Sequence, residues 1–238
     1  MKALIFAAGL GERMRPLTDT TPKPLLRVGG KSLIEWHLEK LAALGIEEVV
    51  VNISWLADRF PATLGDGARW GLRLAYSHEG AIPLETGGGM WNALPLLGDA
   101  PFLLVNGDVW TDYDFTRLPG EPAGLAHLVM VDRPPQAKQG DFALDSSGLI
   151  REDGEHKLTY SGIGMYRPQL FEGWRTIIPA PAMASGKPKF PLAPLLRARM
   201  ADGRISGEHH RGRWTDVGTP ERLAILDAEL RTQSAAST

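Results

Sequence analysis

Short apolar runs alternate with segments of helical periodicity along the first half of the chain. The runs at 3–6, 46–53, 72–76 and 101–106 predict strands. A Ser32-Leu-Ile-Glu capping box opens an apolar helical face that Gly45 ends, and weaker helical patterns cover 55–64 and the residues after Gly89. Strand–helix–strand repetition with short connections predicts an α/β fold, a parallel sheet flanked by helices with right-handed crossovers.

The second half is less regular. Residues 125–131 and 158–166 have the apolar character of strands, and 190–201 and 220–230 have helical patterns. Residues 178–188, rich in Pro, Ala, Gly and Ser, predict a mobile surface loop, and the small polar residues 232–238 predict a disordered tail. No linker divides the pattern, so we expect residues 1–238 to form a single domain.

Composition excludes several classes of function. The 238 residues are 43% apolar and 23% charged, as in an ordinary globular protein. The 26 basic and 28 acidic residues give a net charge of −2, which does not favour a nucleic-acid or membrane binder. The absence of cysteine excludes disulfides, thiolate zinc sites and cysteine nucleophiles. With no signal-peptide pattern or membrane span in the sequence, we expect a cytoplasmic protein.

The stretch AAGLGERMRPLTDTTPKPL after the first strand predicts a cradle for a polyphosphate. Gly9 and Gly11 let backbone N–H groups approach an anion, and Arg13, Arg15 and Lys23 add positive charge. Prolines on both sides of Lys23 predict an extended lysine with little freedom to lose on gripping a phosphate. The stretch is neither a dinucleotide fingerprint, because the third glycine is missing, nor a Walker A loop.

Two further stretches carry candidate chemistry. Asn106-Gly-Asp108 follows a strand directly, where an aspartate suits Mg²⁺ or stabilises a turn; by position alone Asp112 or Asp114 could be the ligand instead. Glu85-Thr-Gly-Gly-Gly89 offers successive glycines that would admit a flat ring against the backbone at a helix N-terminus, although a flexible loop fits equally well.

The motifs G-x-G-x-R, P-L-T and P-K-P resemble the signature of the sugar-1-phosphate nucleotidyltransferases, and the likeness extends from residue 2 to about 230. The nearest likeness is to the bacterial branch that joins UTP to N-acetylmuramate 1-phosphate in cell-wall sugar recycling. The resemblance implies a Rossmann-like mixed, mainly parallel sheet and Mg²⁺ as cofactor. It implies Arg13 and Lys23 as catalytic residues and Asp108 and Asp216 as metal ligands. For the nucleotide it implies Ala8, Gly9, Gly11, Glu12, Arg13, Lys23, Thr86, Gly87 and Gly88.

The same resemblance implies a sugar site with a departure from the family pattern. Asn106, Gly140 and Asp141 match positions that contact the hexose, whereas the usual Glu-Lys-Pro is replaced by Arg151-Glu-Asp-Gly, so that Glu152 becomes the candidate acid. His209 and His210 are adjacent in sequence, so in a regular strand they would point to opposite faces and could not chelate one ion.

Three alternatives remain open. A guanylyl- or thymidylyltransferase acting on mannose or glucose 1-phosphate would carry the same motifs. A non-catalytic nucleotide-sugar sensor could keep the fold, although it would not need both metal aspartates. A nicotinamide-dependent dehydrogenase is disfavoured because Met14 and Pro16 interrupt the dinucleotide fingerprint.

Overall fold

The computed structural model describes the backbone of residues 1–236 and the side chains as far as Gln233. In chain order the strands are β1 Lys2–Phe6, β2 Arg27–Val28, β3 Lys31–Ser32, β4 Glu48–Ile53, β5 Arg73–His78, β6 Phe102–Asn106, β7 Val109–Thr111, β8 Ala126–Val131, β9 Phe142–Leu144, β10 Ile150–Arg151, β11 Lys157–Tyr166, β12 Ala182–Ala184, β13 Lys187–Lys189, β14 Ile205–His210 and β15 Trp214–Asp216. The helices are α1 Leu33–Ala43, α2 Arg59–Leu64, α3 Glu85–Leu97, α4 Trp174–Ile177, α5 Ala193–Ala201 and α6 Pro220–Ala236.

Nine strands form one mixed sheet, in which the path β10-β9-β11-β6-β1-β4-β5 is extended by β8 on β11 and by β14 on β8. Strands β6, β1, β4 and β5 are mutually parallel, and β11 runs antiparallel to β6. Phe6 pairs with Asn52 and with Asn106, so three strands end at the same level. The predicted α/β sheet is confirmed, and its carboxyl edge gathers the loops that follow those strands.

Alternation along β1 builds a core on each face of the sheet. Leu4 packs into a cluster with α3 and α5, whereas Ala3 and Ile5 pack into a second cluster with α1. This follows from the two-residue period of a strand, which sends successive side chains to opposite faces. Helix α1 begins as predicted: the Glu35 carboxylate accepts the Ser32 backbone N–H at 2.7 Å.

Several element boundaries differ from the sequence prediction. Helix α2 is shorter than 55–64, because Leu56 is in the left-handed region and breaks the first turn. Residues 178–188 are not only loop, since the hairpin β12–β13 lies there and packs on α3. Strands β7, β9, β10, β14 and β15 were not predicted; they are short or pair over long sequence separations.

Helix α6 is longer than the predicted 220–230 and extends to Ala236. It is held to the body by Leu226 and Leu230, which join Met14, Val28 and Trp110 in a third apolar cluster. The predicted disordered tail therefore overlaps this helix at 232–236, and its last two positions, 237 and 238, lie outside the described residues. Within the described part of the chain, no helix is long and apolar enough to cross a membrane.

Candidate active site

A cleft lies over the carboxyl edge of the parallel strands, as expected for ligands of open α/β sheets. It has an inner chamber of about 210 Å³ and an outer chamber of about 520 Å³. Both are lined by Gly9, Lys23, Pro83, Glu85 and Asp108. The inner chamber adds Phe6, Ala7, Ala8, Pro24, Asn52, Glu79, Thr86 and Asn106, and the outer one adds Leu10, Gly11, Glu12, Arg13, Met14, Ile82, Lys189 and Gly218.

The two glycines of the first loop serve different physical purposes. A Cβ on Gly9 would meet no atom within 4 Å, so this position is open towards the cleft. Gly11 has a φ of 66°, in the left-handed region, and a Cβ there would lie 2.8 Å from Thr18 Cγ2. Thr18 also donates its hydroxyl to the Gly11 carbonyl at 2.8 Å. Gly11 thus shapes the loop, and Gly9 leaves its backbone accessible to a ligand.

The two arginines of the same loop differ in their partners. Arg15 forms an exposed ion pair with Asp19 at 3.3 Å. Arg13 lines the outer chamber, and no described residue forms an ion pair with it. A guanidinium without a carboxylate partner, beside an open glycine backbone, is suited to contact the phosphates of a ligand.

Lys23 occupies the floor common to both chambers. The flanking prolines predicted an extended backbone at Lys23, and this prediction is wrong. Lys23 instead begins a 3₁₀ turn at Lys23–Leu25, in which the Leu25 N–H donates to the Pro22 carbonyl at 2.8 Å. Only 11% of its side chain is exposed, and its ammonium lies 2.6 Å from Asp108 Oδ2. The turn therefore aims a largely buried cation at the carboxylate that follows β6.

Asp108 and Asp216, 108 residues apart in sequence, are brought together by a two-stranded sheet. Strands β7 and β15 pair antiparallel with Asp216 opposite Val109, and the Val217 N–H donates to the Asp108 carbonyl at 2.9 Å. Asp108 lines the cleft directly, and Gly218 lines the outer chamber beside it. The two aspartates therefore lie on adjoining backbone segments, although Asp216 itself lines neither chamber.

The other two candidate metal ligands, Asp112 and Asp114, form hydrogen bonds outside the cleft. Asp112 accepts hydrogen bonds from His210 Nε2 at 2.8 Å and from the Arg213 backbone at 2.9 Å. Asp114 caps the turn that follows it, accepting the Thr116 N–H at 3.0 Å. Of the three aspartates left open by the sequence, only Asp108 lines the cleft.

A divalent cation of the Mg²⁺ type fits the donor set of Asp108 and Asp216. Mg²⁺ is usually held by one or two carboxylates together with substrate phosphates and water, rather than by a cage of protein ligands. Among the described residues no group of three or more His, Cys, Asp or Glu side chains could hold a metal alone. One carboxylate that lines the cleft, Asp108, and a second on the adjoining segment, Asp216, match that mode of binding.

Comparison with known proteins bears on this arrangement. A family model described as nucleotidyl transferase matches residues 2–144, more than half of the chain. The chain belongs to the nucleotidyl transferase family. This transferase is 51% identical over 96% of its length to the N-acetylmuramate alpha-1-phosphate uridylyltransferase of Neisseria meningitidis, of which 97% is covered. It is 34% identical to the protein of that name from Caulobacter vibrioides, with 96% of each chain covered.

A solved structure supports the fold. A Bacillus anthracis protein described as a glucose-1-phosphate thymidylyltransferase superposes with a TM-score of 0.80 at 20% identity, covering 97% of this chain and 95% of that one. The predicted family and fold class of the nucleotidyl transferase are thus confirmed.

The glycine-rich stretch 85–89 is built differently from the prediction. Helix α3 begins at Glu85, so the glycines lie in its first turns. A Cβ on Gly87 would lie 2.6 Å from Phe190 Cδ2, and both the Gly87 and Gly88 N–H groups donate to the Phe190 carbonyl. The chain's own Phe190 fills the space beside Gly87, and the Pro188 carbonyl oxygen that beside Gly88, so the room for a flat ring expected there is occupied by protein; a nucleotide contact at these glycines stays a prediction. Thr86 lines the inner chamber and accepts the Leu192 N–H at 2.9 Å.

Sequence reasoning missed a buried polar bridge at the inner chamber. Asn52 Oδ1 accepts the Ala7 N–H at 2.6 Å, and its Nδ2 donates to Glu79 Oε1 at 2.6 Å. Glu79 Oε2 accepts the Leu84 N–H at 2.6 Å, and burial raises the pKa of its carboxyl. The bridge joins the glycine loop to the segment before α3. Polar residues near the ends of two apolar strands were the available sequence signal.

Glu85 was also missed as a conformational feature. It has a φ of 62°, which is unusual outside glycine, and it lines both chambers. Non-glycine residues held in the left-handed region concentrate at functional sites, because the surrounding structure must offset their strain.

The predicted sugar residues are not all brought to the cleft. Asn106 lines the inner chamber and packs against Gly162 of β11. Asp141 accepts the Tyr160 N–H at 2.9 Å, beside the half of β11 that extends past the end of β6, and Gly140 packs on the Lys157 backbone.

Glu152 is separated from the two chambers. It forms an ion pair with Arg197 of α5 at 2.9 Å and lines neither of them. His209 and His210 contact different aspartates, Asp132 and Asp112, as the opposite faces of a strand require.

Proposed function

We propose that this nucleotidyl transferase condenses UTP with N-acetylmuramate 1-phosphate, giving a UDP-sugar and pyrophosphate. The observation that carries the reaction class is the Lys23–Asp108 contact of 2.6 Å on the floor shared by both chambers, with Asp216 on the adjoining strand. The choice of base and sugar is supported by the names of the two uridylyltransferase relatives, at 51% and 34% identity.

The nucleotide is proposed to lie along the cleft. Its triphosphate would cross the open backbone at Ala8, Gly9 and Gly11 in the outer chamber, beside Glu12 and Arg13. The base and ribose would enter the inner chamber near Thr86. The backbone N–H groups of Gly87 and Gly88 are already bonded to Phe190, which argues for a packing role of these two glycines rather than direct contact.

The chemistry needs no general base, because a sugar phosphate is already ionised at neutral pH. One of its oxygens attacks the α-phosphorus of UTP, a new P–O bond forms, and the bond to the β-phosphate oxygen breaks to release pyrophosphate. Catalysis then depends on holding two anions in line and stabilising the charge that develops. Arg13 would neutralise the departing pyrophosphate, and Lys23 would contact the α-phosphate and the attacking oxygen.

Asp108 and Asp216 are proposed to hold Mg²⁺. The bound ion would neutralise phosphate charge and reduce the repulsion between the two anionic substrates. Lys23 must then exchange its contact with Asp108 for one with phosphate, and its buried position keeps it within reach of both.

The sugar is proposed to bind beyond the end of β6, at Asn106, Gly140 and Asp141. Glu152, now paired with Arg197, could join that site only by leaving its partner. We further propose that residues 1–238 work as one domain in the cytoplasm, in cell-wall sugar recycling, without nucleic-acid or membrane partners.

The decisive experiment is a matrix of UTP, GTP, dTTP and ATP against N-acetylmuramate, glucose and mannose 1-phosphates, with and without Mg²⁺, monitored by pyrophosphate release. We expect the highest kcat/KM for UTP with N-acetylmuramate 1-phosphate, and no turnover in excess EDTA. Preference for GTP or dTTP would replace the proposed substrate with the guanylyl or thymidylyl alternative. Nucleotide binding without pyrophosphate from any pair would support a sensor.

A further inference from the structure

The carboxylate of Asp216 is held on one side by two side chains from distant parts of the chain. Its Oδ1 accepts a hydrogen bond from Gln136 Nε2 at 2.9 Å and an ion-pair contact from Arg222 Nη1. The same Arg222 nitrogen donates to the Asp216 backbone carbonyl at 3.0 Å. Among the described residues no hydrogen bond is made to Oδ2, so this oxygen remains available while its partner fixes the orientation of the group.

Arg222 is itself held in place by a rigid element. It lies in the first turn of α6, which is fastened by the buried Leu226 and by Asp227 Oδ1, the acceptor of the Gly29 N–H at 2.8 Å. Only 20% of the Arg222 side chain is exposed. A guanidinium fixed in this way orients a carboxylate better than a mobile surface arginine would.

Gly218 lies between Asp216 and Arg222 in the sequence, and the space that a side chain would need there is occupied by the Arg222 guanidinium. Gly218 is not in the left-handed region, so its backbone does not require glycine. A Cβ at this position would lie 2.5 Å from Arg222 Nη2 and 3.0 Å from Asp216 Oδ2. Any side chain at 218 would therefore push the guanidinium away from the carboxylate. The spacing Asp216, Gly218, Arg222 thus forms one geometric unit.

We propose that Arg222 is a positioning residue for the metal site: it fixes Asp216 so that Oδ2 is presented to a divalent cation in the cleft. The inference rests on the proposed role of Asp216 as a ligand. Arg222 has two opposite effects on the affinity of the site for a cation. The positive charge of Arg222 repels a cation, whereas its hydrogen bonds orient the ligand. Loss of partners that orient metal ligands typically weakens metal affinity by about 10–100-fold.

The test measures Mn²⁺ binding directly, by electron paramagnetic resonance of the protein with UTP and no sugar phosphate. We expect Arg222→Gln and, independently, Gly218→Ala each to weaken Mn²⁺ binding by roughly tenfold. For Arg222→Gln, steady-state assays should show a matching rise in the half-saturating Mg²⁺ concentration, with kcat at saturating Mg²⁺ within about threefold of the wild type. Arg231→Gln, which removes an exposed ion pair of α6 with Asp227, is the matched control and should leave Mn²⁺ affinity unchanged.

Thermal midpoints of both variants within a few degrees of the wild type would separate the effect from unfolding. Unchanged or tighter Mn²⁺ binding by folded Arg222→Gln would overturn the inference, because charge repulsion would then outweigh orientation. The Asp216→Asn variant distinguishes the positioning role of Arg222 from the ligand role of Asp216. If it loses Mn²⁺ while Arg222→Gln does not, only the positioning role fails; if it binds Mn²⁺ normally, the proposed ligand role of Asp216 fails too.

Discussion

Lys23 Nζ lies 2.6 Å from Asp108 Oδ2, so a largely buried ammonium and a proposed metal ligand form an ion pair. The contact links the proline-flanked turn to the loop after β6, 85 residues away. A phosphate that enters between them would form an ion pair with Lys23, and a divalent cation would be coordinated by Asp108. The pair therefore places a positive charge for phosphate and a negative charge for a cation at one point of the cleft.

The first prediction concerns Lys23. Replacing it with alanine removes a preoriented charge from the proposed α-phosphate site, and we expect Lys23→Ala to lower kcat by roughly a hundredfold or more. Pyrophosphate release at saturating UTP and sugar phosphate measures this. Lys31→Ala, which removes an exposed ion pair with Glu39, is the control and should retain activity. Near wild-type turnover of Lys23→Ala would remove Lys23 from the chemistry.

The second prediction separates a ligand from a structural turn at Asp108. We expect Asp108→Asn to abolish Mg²⁺-dependent activity while shifting the thermal midpoint by only a few degrees. Asp108 is partly exposed, with 39% of its side chain accessible, and the amide oxygen of Asn can still accept a hydrogen bond from the Lys23 ammonium, so the largely buried ammonium keeps a partner. Differential scanning fluorimetry and turnover, measured on the same preparation, decide the matter. A large fall in the midpoint would favour a structural role.

The third prediction uses the contrast between Gly9 and Gly11. Gly11→Ala places a Cβ at φ 66° and 2.8 Å from Thr18 Cγ2, so it should reduce the free energy of unfolding by roughly 1–2 kcal/mol. Gly9→Ala meets no atom within 4 Å and should leave stability unchanged while raising KM for UTP. Urea denaturation and steady-state kinetics on both variants test the pair. Equal loss of stability in the two would contradict the division of roles.

The fourth prediction is a pH dependence of stability that arises at His37. Burial lowers the pKa of this imidazole to about 4. Its Nε2 contacts the Val109 carbonyl at 2.8 Å, and its buried Nδ1 has no partner among the described residues. A proton on Nδ1 would place an unpaired charge in the core. Between an unfolded pKa of about 6.5 and the folded value, only the unfolded chain takes up the proton.

The free energy of unfolding should therefore fall as the pH falls from about 6.5 to 4, by up to about 1.4 kcal/mol per pH unit from this group. Below the folded pKa the effect ends, because both states are then protonated. Urea denaturation of His37→Gln across this range should give a shallower pH slope than the wild type. His156→Gln, at a ring that is 89% exposed, should not change the slope, and parallel slopes for all three proteins would refute the prediction.

Local sequence patterns were sufficient for the central part of the fold. The four parallel strands, α1 with its capping box, and the irregular loop after β1 were each encoded within a few residues, as apolar runs, a Ser–Glu pair and a glycine–arginine stretch. Patterns over short separations report local conformation and burial directly. The sequence could therefore place Gly9, Gly11, Arg13, Lys23 and Asp108 near one strand edge before any contact was known.

Other features depended on contacts between distant residues. The glycine pattern at 87 and 88 predicts room for a ligand, but the fold brings Phe190 against Gly87 and the Pro188 carbonyl against Gly88. The Asn52–Glu79 bridge and the pairing of β7 with β15 join residues 27 and about 105 positions apart.

The amino-acid order by itself determined which segments become strands and helices and where charge is concentrated, because these properties follow from local periodicity and residue type. Only the tertiary structure decided which charges meet: Lys23 with Asp108, Arg222 with Asp216, and Glu152 with Arg197 away from the cleft. The physical reason is that electrostatic and packing partners are selected by distance in space, and sheet pairing sets that distance independently of separation along the chain.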